Sequence, residues 1–228
     1  MGTITAAAII SRVAVQLNDR DNLYWPRTEL LAWIKEAQRQ IVLAQPQSNS
    51  VTAPLALVAG AKQSLPAGAW VLLDVYCNLG ADGLTPGRAV RGISRTLMDA
   101  HDPTWRAARR TKVIQNFMVD AQSPTTFWVY PPADGTTQVE INYATPPTAL
   151  TVEATAISVN DLYEPAIIEY ILYRAHAKKV EYAKGDQISQ AHFSAFAGML
   201  GIKQTSEAAN SATQAVGTRG GDAPGANS

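Results

Sequence analysis

An α+β fold is expected for this chain of 228 residues. The expected arrangement is a four-helix bundle, with two N-terminal and two C-terminal helices, interrupted by a β-hairpin and β-sheet insert and followed by an extended C-terminal tail. Three observations predict it. Apolar residues recur at helical spacing near both ends of the chain. The stretch between them alternates in short runs punctuated by Pro and Gly. The last segment, 203–228, holds one large aliphatic side chain, Val216, and no aromatic.

Ile9, Ile10, Val13 and Leu17 follow Thr5 at helical spacing, which predicts a first helix over 5–17 with Thr5 as N-cap. Residues 18–22 (Asn-Asp-Arg-Asp-Asn) form a loop by composition. A second helix starts at Pro26, a residue suited to a first helical position, and ends before Pro46. Its stripe is Leu30, Ile34, Ala37 and Ile41, widened by Leu31 and Trp33. Val51–Val58 reads as a strand before a Gly60 turn, and Val71–Cys77 is an apolar run in which Cys77 is expected to act as a small buried hydrophobe. Phe127–Tyr130 and Val139–Tyr143 flank a turn rich in Pro, Asp and Gly and predict a β-hairpin. Between the Val71–Cys77 run and this pair, a strand near 88–93 and a short helix near 95–101 are expected. Helix returns at Pro165 with Ile167, Ile168, Ile171, Leu172, Ala175 and Val180. Its last turns hold Lys178, Lys179 and Lys184, and Gly185 is the expected stop. Asp186 then caps a fourth helix that buries Ile188, Phe193, Phe196 and Leu200. The terminal helices need one another to bury their stripes. The expected domains are therefore a helical bundle from 1–50 and 160–202, a β-rich insert at 51–159, and a tail at 203–228. So polar a tail cannot offset its own ordering entropy and is expected to order only against a partner, as assembly proteins do.

Net charge is zero, so no whole-chain field favours nucleic acid or an anionic membrane. The charge is nevertheless uneven. Arg88, Arg91, Arg95, Arg106, Arg109, Arg110 and Lys112 are opposed within 88–112 only by Asp99 and Asp102, a net +5 that the rest of the chain balances. This basic sector could grip phosphates, with Trp105 stacking a base, or pair with acidic surface on a neighbouring subunit. A nucleic-acid-binding module built on 88–112 is thus the alternative reading. The tryptophans Trp25, Trp70, Trp105 and Trp128 sit at element edges, where core filling and interface anchoring compete. No apolar run approaches the ~18 residues of a membrane helix, and no basic region precedes the N-terminal apolar stretch, so neither membrane nor secretory signal is expected.

The sequence holds no phosphate-binding glycine loop and no nucleophile elbow. The three histidines, His101, His176 and His192, lack a His or Cys neighbour at metal-ligand spacing, and His176 is expected at the surface or in an interhelical hydrogen bond. Asp19-Arg20-Asp21 begins like a calcium loop, but Tyr24 stands where the loop requires Gly. No enzyme activity, cofactor or metal is expected.

The order of segments carries a resemblance. Asp21-Asn22-Leu23-Tyr24-Trp25-Pro26-Arg27-Thr28-Glu29-Leu30-Leu31-Ala32-Trp33-Ile34, Ser64-Leu65-Pro66 before an apolar run, and Val129-Tyr130-Pro131-Pro132 occur in sequence. They are followed by Ile141–Pro147, by Ile157–Tyr170, and by Gly185-Asp186 with Phe193-Ser194-Ala195-Phe196. Together, over roughly 5–202, they resemble tailed-phage head-to-tail adaptor (connector) proteins. The resemblance implies a structural virion protein. Such a protein forms a homo-oligomeric ring, a dodecamer, beneath the portal protein, meets a tail tube, nozzle or other tail protein, and passes double-stranded DNA without sequence specificity. It further implies assembly in the host cytoplasm and residence at the head–tail junction. Val216, Arg219, Trp25 and Trp105 are the residues expected at a portal or subunit interface, and the cations of 88–112 are expected in the lumen or at an interface.

Overall fold

The computed structural model describes residues 2–120, 122–178 and 183–210. In chain order these form α1 (Ala6–Gln16), α2 (Arg27–Ala44), β1 (Ser50–Ala56), β2 (Gly60–Ser64), β3 (Val71–Leu79), β4 (Pro86–Ala89), β5 (Arg91–Gly92), α3 (Arg95–His101), β6 (Asn116–Val119), β7 (Thr126–Ala133), β8 (Gln138–Ala144), α4 (Glu164–Lys178) and α5 (Ala183–Asn210). The α+β class is therefore as expected, with five helices and two sheets among the described residues. The chain divides into two compact units. A β-rich unit takes Gln38–Ala149 and Ile157–Asn160. A helical unit takes Ile4–Ala37, Leu150–Ala156 and the described residues from Asp161 onward. The division thus falls inside α2.

In the helical unit, Thr5 caps α1 by accepting from the Ala8 amide at 3.3 Å. The first amides of α1 donate to Thr155 and Glu153 carbonyls, which lace segment 150–156 to its N-terminus. Ile9, Ile10 and Val13 are fully buried, as their spacing predicts. Helix α4 touches three other helices. Arg12 of α1 pairs with Glu164, Glu36 and Glu29 of α2 pair with Arg174 and Lys178 at 2.5 and 2.6 Å, and Tyr170 packs edge-on against Phe196 of α5 with centroids 5.2 Å apart. Burial pushes the Tyr170 phenol up, and its hydrogen bond to Arg174 only partly opposes that shift.

Two helical expectations are corrected. Gly185 does not stop a helix. It lies in the first turn of α5 with helical backbone, so the left-handed conformation that makes glycine a C′ residue is not in use there. Asp186 accordingly sits inside that first turn, where its charge complements the helix dipole, rather than preceding it. The second correction concerns 203–210, expected as extended chain. This stretch continues α5 to Asn210. Lys, Gln, Glu and Ala are good helix formers, and adding residues to an existing helix carries no nucleation cost. Val216 and Arg219 lie outside the described residues.

The β-rich unit is a pair of four-stranded sheets, in the orders β1-β8-β3-β4 and β2-β7-β6-β5. The expected hairpin of 127–130 with 139–143 is overturned, because β7 and β8 belong to different sheets. Their shared turn is an arch. Asp134 accepts from the Thr136 amide and from the hydroxyls of Thr136 and Thr137, and Gly135 takes φ +95°, where a Cβ would strain the turn. The two strands then meet through side chains, not backbone. Phe127 and Val129 of β7 face Val139 and Ile141 of β8 in one core with Leu72, Val75, Val90, Ile114 and Phe117. The expected strand at 88–93 behaves likewise. It splits at buried Val90 into β4, on the edge of one sheet, and β5, on the edge of the other. Cys77, expected buried, is half-buried on β3 with its Sγ 3.9 Å from Glu140 Oε2.

Candidate functional site

The outer face of sheet β2-β7-β6-β5 positions the basic sector. Strand β7 is bulky on both sides. Phe127 and Val129 point into the sandwich, while Trp128 and Tyr130 form a second cluster with Ile93, Ala61, Met98, Met118 and Trp105. Helix α3 and the short helical turn Trp105–Ala107 close over this cluster. Trp105 is its centre. The indole is fully buried, meets Tyr130 edge-on at 6.4 Å between centroids, and donates from Nε1 to Asp99 Oδ1 at 2.8 Å.

Two of the seven cations build this platform. Arg106 lies over the Trp105 ring at 4.5 Å and pairs with Asp99 at 2.8 Å. Hydrogen bonds from Arg106 and then Trp105 hold the Asp99 carboxyl below its ordinary range. Arg95 lies over the Trp128 ring at 5.2 Å and pairs with Asp120 at 2.7 Å. The remaining five, Arg88, Arg91, Arg109, Arg110 and Lys112, are exposed. Lys112 adds its charge to the Thr136 hydrogen bonds that hold the Asp134 carboxyl down. Arg88 and Arg91 stand on the two edge strands β4 and β5. The Arg88 backbone is pinned by Asn78, only 6 % exposed, whose amide donates to the carbonyls of Arg88 and Ile114 at 2.8 Å. Among the described residues, Arg88, Arg91, Arg109 and Arg110 make no salt bridge.

The expectations for individual tryptophans change accordingly. Trp105 cannot stack a base or anchor a partner as it stands, because its ring is enclosed by the sheet and covered by Arg106. Trp25, 6 % exposed, lies 5.6 Å from Trp33 between ring centroids, with Lys178 Nζ 5.6 Å above it. Both rings fill the interior of their own units. The histidines are closer than their spacing suggests. His176 of α4 and His192 of α5 stack at 5.4 Å with planes 8° apart, and His192 Nδ1 lies 2.7 Å from Glu169 Oε2. No cluster of three or more metal-ligating side chains occurs among the described residues, and no described helix is long and apolar enough to cross a membrane. What the unit offers is a cation-bearing surface laid over a buried aromatic cluster.

A family model described as the SU10 adaptor protein matches residues 4–218, nearly the whole chain and both compact units. The chain belongs to this phage head-to-tail adaptor family. The adaptor is thereby a virion protein of structural role, a connector between head and tail, from a family that is generally not enzymatic. No curated protein matches it. The segment order that carries the resemblance thus lies within one continuous match, which also takes in the basic sector.

Proposed function

We propose that this adaptor forms a closed ring that joins the portal protein to a tail protein and continues the DNA channel of the virion. The observation that carries this reading is the family match over residues 4–218. In this reading the four long helices act as a bundle seated against the portal. The segment from 203, with Val216 and Arg219, reaches onto the portal. The ring is a dodecamer, assembled in the host cytoplasm and retained at the head–tail junction. A ring is the economical closure for such a role, since head-to-tail contacts between copies either close or run on as filaments. The test is co-sedimentation of the full chain with its purified portal. Binding at fixed stoichiometry supports the reading, and binding lost on deletion of 203–228 supports the tail as the clamp. A chain that ignores the portal contradicts it.

The exposed cations favour a second component of this role, contact with the phosphates of passing double-stranded DNA without base readout. Four arginines free of salt bridges among the described residues can neutralise up to four phosphates. Neutralising them together (Arg88→Gln, Arg91→Gln, Arg109→Gln and Arg110→Gln) is expected to reduce the slope of log affinity against log salt by about 3–4. A wild-type affinity without salt dependence would assign these arginines to a neighbouring subunit instead.

A further inference from the structure

The loop between α1 and α2 is built to present two apolar side chains. Leu23 is 81 % and Tyr24 78 % exposed. They are not on a slack tether. The Asp19 carboxylate, itself only 7 % exposed, accepts from the amides of Leu23, Tyr24 and Trp25 at 2.9, 3.0 and 2.8 Å. Asn18 and Asn22 take left-handed backbone, both at φ 53°, which asparagine tolerates better than most residues. Trp25 buries the C-terminal end of the loop. A pre-ordered apolar projection loses little entropy on docking.

The β-rich unit holds a matching recess. Val42 and Leu43 at the end of α2, Trp70, and Pro146-Pro147 after β8 line a cavity of about 250 Å³, with Arg39 as its one charged lining residue. Leu43 is 59 % exposed at its edge. The volume falls below the roughly 300–1,000 Å³ of small-molecule pockets, and the lining offers almost no polar group to orient a ligand. It suits one or two protein side chains. The charges also correspond. Asp21, exposed beside Leu23, makes no salt bridge among the described residues, and neither does Arg39. The neighbouring Arg20 lines a separate cleft with Ser11, Val15 and Arg27.

We propose that Leu23 and Tyr24 of one copy seat in the Val42–Leu43–Trp70–Pro146–Pro147 recess of a second copy, with Asp21 against the second copy's Arg39. Projection and recess are different surfaces, so the contact is head-to-tail and can propagate around a ring. The inference rests on the adaptor reading for its setting, not for its geometry.

The test uses full-length chains carrying Cys77→Ala and either Leu23→Cys or Leu43→Cys, mixed and oxidised with and without portal. Docking raises the effective concentration of the two thiols into the mM range, so the mixed disulfide should exceed that of either variant alone by about tenfold. Asp21→Arg should reduce the cross-link, and Asp21→Arg with Arg39→Asp should restore it. Electron microscopy of the same samples separates the two claims. Rings with portal but no mixed cross-link would overturn the docking and leave the adaptor reading standing. A cross-link without rings would support the docking and count against the ring. Neither cross-link nor ring would overturn both.

Discussion

Trp105→Ala is expected to destabilise the β-rich unit by about 3–5 kcal/mol, the usual cost of truncating a fully buried indole. The ring is enclosed between Met98, Met118 and Tyr130, so the cavity left behind has rigid walls on the sheet side. The loss is more than volume. Asp99 would be left without its indole donor, and Arg106 without the ring it covers. With roughly 2–4 °C lost per kcal/mol in a protein of this size, the melting temperature should fall by about 6–20 °C. Hydrogen exchange should show where the loss begins. Amides of α3 should lose protection first, since Met98 and Trp105 carry that helix on the sheet, while β7 and β8 stay protected by the Phe127–Ile141 core. Trp105→Phe keeps most of the volume without the indole N–H and should cost less. A Trp105→Ala protein that melts like the wild type would show that α3 is held by something other than this cluster.

Asp19→Ala is the second large effect, expected at about 2–3 kcal/mol. Three backbone amides share this carboxylate, and hydrogen bonds to a charged acceptor contribute roughly 1.5–3 kcal/mol each in isolation. The sum is not reached, because Leu23 and Tyr24 are exposed enough for water to replace two of them. The Trp25 amide is buried and has no such recourse. Asp19→Asn keeps one acceptor oxygen and should fall between. The functional consequence should exceed the stability loss. With the loop unclamped, Leu23 and Tyr24 no longer hold one position, and the disulfide between copies should weaken in a protein whose circular dichroism is unchanged. An Asp19→Ala chain that cross-links as well as its parent would show that the loop needs no pre-ordering.

The helices were legible because burial imposes a period on the sequence. Ile9, Ile10 and Val13, then Leu30, Ile34, Ala37 and Ile41, repeat at helical spacing and are fully buried. The sheet partners were not legible. Alternation in Phe127–Tyr130 and Val139–Tyr143 says which side chains share a face, but a turn of Asp, Gly and Thr can fold strands into a hairpin or carry them between sheets. Only the opposed rows of Phe127, Val129, Val139 and Ile141 decide for the arch. One signal of the platform beneath the basic sector was available. Four bulky residues in succession on β7 mean that both faces of that strand are covered, which calls for something to lie over Trp128 and Tyr130. The cover itself was hidden, because Trp105 sits in an arginine-rich stretch whose composition reads as surface. Its burial depends on Asp99 and Arg106, a local triad whose meaning appears only with the sheet in place. The stacked His176 and His192 were hidden for a related reason. Sixteen positions separate them, and only the packing of α4 on α5 brings the rings together.

The most direct measurement is electron microscopy of the full chain mixed with its purified portal. The expected result is a ring of adaptor copies capping the portal, coaxial with its channel, with the Leu23–Tyr24 loop of each copy seated against its neighbour. Isolated adaptor monomers beside bare portals would contradict it.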